Sequence, residues 1–201
     1  MVFPPLDRAL KEWPAAIAAL ANGDSILLLR KGGIQEPQGQ FWPATTAVWL
    51  LPSIEHQQPE ALRVPAEAIA HEVPEQLELS VWAEISQAIP LPAHFPLTDL
   101  SASTVWTTAF LEQRRHWKPE QPLWLLVLRT YRVPESRSLA WQASYRGCRS
   151  WITLAEPLSR QDSEPVLSDR AFADQWQAIA EILQRGGLTL DGLPTAAHAA
   201  D

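Results

Sequence analysis

The spacing of apolar residues divides the chain into helical and extended segments. At the start of the chain, apolar residues recur at intervals of three and four, which predicts a helix over residues 6–21. The residues on this apolar stripe are Leu6, Leu10, Trp13, Ile17 and Leu20. Pro14 falls inside the run and predicts a kink or the first turn of a second helical piece. Gly23 is expected to end the helix.

Continuous apolar runs predict buried strands at 26–29 and 45–51, on either side of a loop at 34–43. We expect these two strands to be antiparallel neighbours. Apolar and polar residues alternate over 77–85, which predicts a strand with one solvated face. The strongest strand prediction covers 123–133, where a long apolar run gives way to alternation and is expected to reach a rim of the sheet.

Two further helices are predicted. Residues 97–117 combine an apolar stripe with three basic residues in the last turn, Arg114, Arg115 and His116. Cations there suit the helix dipole, and a role in ligand binding is equally open. Ser168 is expected to cap the amphipathic C-terminal helix. The resulting organisation is an α+β domain at 6–156, a linker at 157–167, the helix at 168–186 and a disordered tail at 187–201.

The fold class that follows is α+β, with one mixed or mostly antiparallel sheet and N-terminal, mid-chain and C-terminal helices. A helix, a strand, a Gly-containing break and a long hydrophobic strand late in the chain also resemble the small RNA-binding pseudo-barrels of the PUA type, so a pseudo-barrel is one alternative for the form of the sheet.

Composition is that of a globular protein, with 201 residues, 46% hydrophobic and 19% charged. The lone cysteine, Cys148, excludes a disulfide framework, so we expect a reducing, cytoplasmic location. Cys148 lies between Arg146 and Arg149, which suits either a packed thiol or a reactive one. The N-terminus lacks signal-peptide features and no apolar run reaches eighteen residues, so no membrane association is expected.

Charge is distributed unevenly along the chain. The net charge of −7 argues against general binding of polyanions. Residues 52–103 nevertheless contain eight acids and one base, whereas residues 104–151 contain eight bases and three acids. The two segments either neutralise each other within one fold or leave a basic surface exposed.

The basic residues that follow predicted strands suggest an anion-binding pocket. They are Arg30, Lys31, Arg129 and Arg132 at strand ends, with Arg146 and Arg149 in a polar turn. Trp42 and Trp151 are expected to flank the pocket. Arginine suits phosphate and aromatic rings suit bases, so the leading hypothesis is a module that binds RNA, a nucleotide or another anion.

Two other functions remain open. Glu36, Glu55 and His56, with Lys31 as the cation, could serve a metal-dependent hydrolase or nuclease, although a salt bridge of Glu36 with Arg30 or a later arginine is the favoured interpretation. No phosphate loop, dinucleotide fingerprint, nucleophile elbow or paired-histidine metal motif occurs, so no cofactor or metal is assigned and a non-enzymatic role is favoured. The ten tryptophans also suit a scaffold that binds another protein, and the oligomeric state stays open.

Five segments together resemble a bacterial family known as a domain of unknown function, number 1802. They are residues 9–13, 26–34 with Glu36, 51–53 with 55–57, 122–131 and 145–151. The resemblance extends over about residues 6–155 and departs from the pattern at Pro14. It implies no known reaction, cofactor or catalytic set, so no functional residue is transferred from it.

Overall fold

A computed structural model of the protein describes residues 3–31, 45–53, 55, 57–63, 75–147 and 149–190. The predicted loop at 34–43, and with it Glu36 and Trp42, lies outside these residues, as do His56 and Cys148. Most of the predicted tail, 191–201, does so too.

Within the described ranges the chain forms seven strands and four α-helices, which confirms the α+β prediction. In chain order these are β1 (Leu6–Glu12), α1 (Pro14–Asn22), β2 (Leu27–Arg30), β3 (Ala47–Pro52), β4 (Gln76–Leu91), α2 (Leu97–Ala102), α3 (Thr108–His116), β5 (Leu123–Ala140), β6 (Trp151–Leu158), β7 (Glu164–Pro165) and α4 (Asp169–Arg185).

One mixed sheet contains all the strands in the order β2-β5-β4-β3-β1-β6, with β7 added beside β5. Strands β1 and β3 are parallel, and the other pairs are antiparallel. In a flat sheet, five strand spacings would separate β2 from β6 by about 24 Å. Yet Arg30 at the end of β2 donates a 2.6 Å hydrogen bond to Ser150, the residue before β6. The sheet therefore curls until its two edges meet, as a pseudo-barrel requires.

The prediction of a helix from residue 6 is wrong for β1. Ala9 and Leu10 are fully buried because β1 lies between β3 and β6 and is covered on both faces. A strand buried on both faces lacks strict alternation, so its apolar residues also fit a helical spacing. The helix begins only at Pro14, whose fixed φ suits the first turn, and ends at Gly23 with φ 77°.

The expected pairing of the second and third strands is also wrong. Leu28 of β2 lies opposite Leu126 of β5, whereas Leu50 of β3 lies opposite Leu10 of β1. Both segments are apolar throughout, and such a pattern identifies a buried strand without identifying its neighbour. The long pair β4–β5 separates them in the sheet.

The mid-chain helix predicted over 97–117 is two helices, α2 and α3. Thr107 caps α3 by accepting a 3.3 Å hydrogen bond from the backbone of Phe110. Arg63 donates to the carbonyls of Ala102 and Thr104, at the carboxyl end of α2. Side chains therefore satisfy the backbone groups left unpaired where α2 ends and α3 begins. The spacing of apolar residues does not reveal such contacts.

The apolar residues form two clusters on opposite faces of the sheet, and α4 packs on the larger one through residues that include Ile179 and Leu183. The predicted cap is confirmed, since the Ser168 hydroxyl accepts a hydrogen bond from the backbone of Ala171. Strand β7 lies within the stretch 157–167 that the sequence suggested as a linker, and it pairs with β5.

Replacing Gly186 by alanine is expected to lower the free energy of unfolding by about 1–3 kcal/mol, because the added methyl group overfills a packed core. The new Cβ would clash with the ring of Phe95, which is fully buried. Urea denaturation measures the loss. Combining Gly186→Ala with Phe95→Leu should cost less than the two single losses together, whereas simple additivity would contradict a direct clash.

Candidate functional site

A cavity of about 390 Å³ lies at the carboxyl ends of β1, β2 and β3, facing the last turn of α3 and the segment before β6. Parallel pairing places the ends of β1 and β3 at one edge of the sheet. The charged residues that line the cavity are Lys11, Arg30, Lys31, Arg114 and Arg149 with Glu12 and Glu55. Five cations against two carboxylates give this site an excess of three positive charges in a chain of net charge −7.

An ion pair between Arg30 and Glu12 forms the base of the cavity. Nη1 of Arg30 lies 2.9 Å from Oε2 of Glu12, and the two side chains are only 12% and 4% exposed. Oε1 of Glu12 accepts a 2.8 Å hydrogen bond from the backbone of Trp13. Nη2 of Arg30 donates to Ser150 at 2.6 Å. This pair connects β1, β2 and the approach to β6, and it therefore fixes the curled geometry of the sheet at the site.

A second ion pair, the Lys11–Glu55 bridge, forms another wall of the cavity. The Lys11 ammonium donates to Oε2 of Glu55 at 2.8 Å and to the carbonyls of Tyr145 and Gly147 at 2.9 and 3.0 Å. Oε1 of Glu55 accepts a 3.0 Å hydrogen bond from the backbone N–H of Gly147. All three donors of Lys11 are thus used. Gly147 has φ 92°, a conformation that favours glycine.

An exposed aromatic rim completes the cavity. Trp117, which follows α3, is 39% exposed, and among the described residues it is the only large hydrophobic side chain this exposed. The Arg114 guanidinium lies 5.8 Å from the Trp117 ring and 6.0 Å from the Phe110 ring. The Lys118 ammonium lies 4.8 Å from the Trp117 ring. The rim therefore combines a flat apolar surface with two cations.

Arg114 and Lys31 differ in how their charges are satisfied. In the part of the chain that the structure describes, the Arg114 guanidinium makes no salt bridge or hydrogen bond. Burial and, next, the charge of Arg30 lower the pKa of Arg114, and Glu12 opposes them. Lys31 is buried and donates a hydrogen bond to the carbonyl of Arg115 at the end of α3. Burial lowers the pKa of Lys31 as well. Because the Lys31 ammonium is buried and bonded to a carbonyl, it lies in the wall of the cavity and not at its opening.

The structure brings together four of the residues proposed from the sequence and separates others. Arg30, Lys31, Glu55 and Arg149 line the cavity. Arg146 lines a neighbouring cavity.

Three of the proposed residues lie elsewhere. Arg129 pairs with Asp169 at 2.6 Å, and Arg132 donates to the carbonyl of Ala21 at 2.7 Å. Neither arginine lies at a strand end, because β5 continues to residue 140 instead of ending near 133. Trp151 packs against the main apolar cluster.

The sequence interpretation missed Lys11, Glu12 and Trp117, and it left a ligand role for Arg114 open beside a structural one. A signal for the first two existed, because they lie in the segment 9–13 that carries the family resemblance, but the helix assignment concealed their position at a strand end. For Arg114 the helix dipole and a ligand role were equally open, and neither argument distinguishes it from Arg115 and His116.

The hydrolase hypothesis depends on residues that the structure describes only in part. Glu36 and His56 lie outside the described residues, and both oxygens of Glu55 already accept hydrogen bonds. In the described ranges, no three His, Cys, Asp or Glu side chains are grouped as metal ligands would be.

None of the helices in the described ranges is long and apolar enough to cross a membrane.

Comparisons with known proteins place the chain in a family. The solved structure of ASCH from Zymomonas mobilis aligns with a TM-score of 0.42 and 10% identity, covering 86% of this chain and 94% of that one. A mutant of the same protein aligns with a TM-score of 0.43 and 9% identity, covering 86% and 96%. No functionally curated protein shows significant sequence similarity. The sequence pattern of the family described as a domain of unknown function (DUF1802) matches residues 9–178, and the chain belongs to that family.

Proposed function

We propose that this protein is a binding module whose cavity accepts a nucleotide, either free or within RNA. The observation that carries the proposal is the pairing of Arg114 with the exposed ring of Trp117, at the opening of a cavity with excess positive charge.

The phosphate group of a bound nucleotide would complement the excess positive charge of the cavity. Glu12 neutralises Arg30 and Glu55 neutralises Lys11, so these ion pairs stabilise the walls. Arg114, which has no carboxylate partner among the described residues, is then the guanidinium best placed to contact an anion. A guanidinium binds phosphate through paired, charge-assisted hydrogen bonds, which suits this position better than a single ammonium would.

The base of a bound nucleotide would stack on the exposed aromatic rim. Bases stack on exposed aromatic rings and on guanidinium planes, and both surfaces occur together at Trp117 and Arg114. Lys118 adopts φ 51°, an uncommon conformation for a residue other than glycine. Such backbone strain tends to occur where a side chain must be held in a particular place, and here it accompanies an ammonium held near the Trp117 ring.

Calorimetric titration with adenosine 5′-monophosphate and with short single-stranded RNA tests the proposal. Binding should weaken steadily as the salt concentration rises, because cations released from phosphate accompany the contact. Absence of binding at low salt would contradict a nucleotide site. Binding that is insensitive to salt would contradict the assigned role of the cations.

Arg114→Ala should weaken RNA binding about tenfold and reduce the slope of log affinity against log salt by about one, as expected for loss of one phosphate contact. The matched control is Arg170→Ala, which removes the same charge from a side chain that is 92% exposed on α4. Equal losses in the two variants would indicate diffuse attraction to the whole protein and would count against a defined site.

A further inference from the structure

A second cavity of about 260 Å³ adjoins the first. Lys11, Ser53 and Glu55 line both cavities, so the Lys11–Glu55 bridge stands between them. Because every donor of Lys11 and both oxygens of Glu55 are engaged, this divider is held in place by the protein itself.

The second cavity repeats the chemistry of the first. The guanidinium of Arg146 lies 4.9 Å from the ring of Trp141, and both residues line the cavity. Trp141 is anchored by packing against the smaller apolar cluster, whereas Arg146 is exposed. An arginine resting on an indole offers a flat cationic surface on which a base can stack, as Arg114 and Trp117 do at the first cavity.

One short segment supplies an arginine to each cavity. Arg146 lines the second and Arg149 lines the first, and three residues of chain span at most about 11 Å. Gly147 lies between them and is fixed by the Lys11–Glu55 bridge through both its N–H and its carbonyl. The two arginines are therefore held on either side of the divider.

We infer that the two cavities are successive subsites for a single strand of RNA. One base stacks at Trp117 and the next at the Trp141–Arg146 pair, and the phosphate that joins them passes over the Lys11–Glu55 bridge. This inference rests on the proposed function, since it assumes that the first cavity holds a nucleotide. It makes an oligonucleotide, rather than a free mononucleotide, the preferred ligand.

Affinity should accordingly depend on length. The 5′-phosphorylated dinucleotide of adenosine should bind about 5- to 150-fold more tightly than adenosine 5′-monophosphate, the gain expected for one additional stacked base. Arg146→Ala and, separately, Trp141→Ala should remove most of this gain, lowering the affinity for the dinucleotide far more than the affinity for the mononucleotide. If Trp141→Ala unfolds the protein, Arg146→Ala alone tests the second subsite. Arg170→Ala is again the control for the loss of one positive charge.

The outcomes separate the two proposals. If the mononucleotide binds and the dinucleotide binds no more than twofold better, the second subsite is wrong and the first stands. The same conclusion follows if Arg146→Ala weakens both ligands equally. If neither ligand binds, the proposed function fails, and the inference that rests on it fails too.

Discussion

Replacing Glu12 by glutamine should lower the free energy of unfolding by about 3–5 kcal/mol, the cost of removing one charge from a buried ion pair. Glu12 is 4% exposed and holds the Arg30 guanidinium at 2.9 Å. Glutamine fits the same space, but it carries no charge to balance the buried guanidinium. Its amide can still accept the hydrogen bond from Trp13, so the predicted loss isolates the ion pair from the start of α1.

Denaturation in urea at fixed salt concentration measures this loss. The matched control is the double change Glu12→Leu with Arg30→Met, which removes both charges and should recover most of the stability, because two apolar side chains need no partner. A loss below about 1 kcal/mol for Glu12→Gln would show that water reaches the pair, since exposed pairs contribute that little. A double variant less stable than Glu12→Gln would instead assign the stabilisation to packing or to the hydrogen bonds with Trp13 and Ser150, which that variant also loses.

Local patterns in this sequence identified individual elements better than their partners. The apolar run of β5 and the Ser168 cap of α4 both depend on nearby residues, and both were predictable from the sequence. The neighbours of β2 and β3 depend on how the long β4–β5 pair is inserted between them, and no local pattern encodes that insertion.

The candidate site was predictable in part for the same reason. Arg30 follows an apolar run that is a strand, so its place at a strand end was correctly inferred. Arg129 follows a similar run, but its strand continues, and Asp169 binds it forty residues later in the chain. Lys11 and Glu12 are charged residues in a strand buried on both faces, and such residues resemble a helical surface until the pairing is known.

Replacing Trp117 by alanine should weaken RNA binding about 5- to 150-fold, because a base stacked on an aromatic ring contributes about 1–3 kcal/mol. The side chain is 39% exposed and lies outside the packed core, so the free energy of unfolding should change little. The salt dependence should also stay constant, since no charge is removed. This combination distinguishes Trp117 from Arg114, whose loss should alter the salt dependence.

Trp117→Phe is the matched control, and calorimetric titration with one short single-stranded RNA measures both variants. Phenylalanine keeps a flat ring at the end of α3, so it should retain most of the affinity that alanine loses. Equal losses for phenylalanine and alanine would assign the effect to the indole N–H instead of stacking. An alanine variant that binds as tightly as the parent would remove the rim from the site and leave the phosphate contacts as the basis of recognition. Because the cations near this ring are Arg114 and Lys118, loss of the ring also tests whether it positions them. If the ring does position Arg114 and Lys118, the affinity for RNA and its salt dependence would fall together, and the prediction of a constant salt dependence would be wrong.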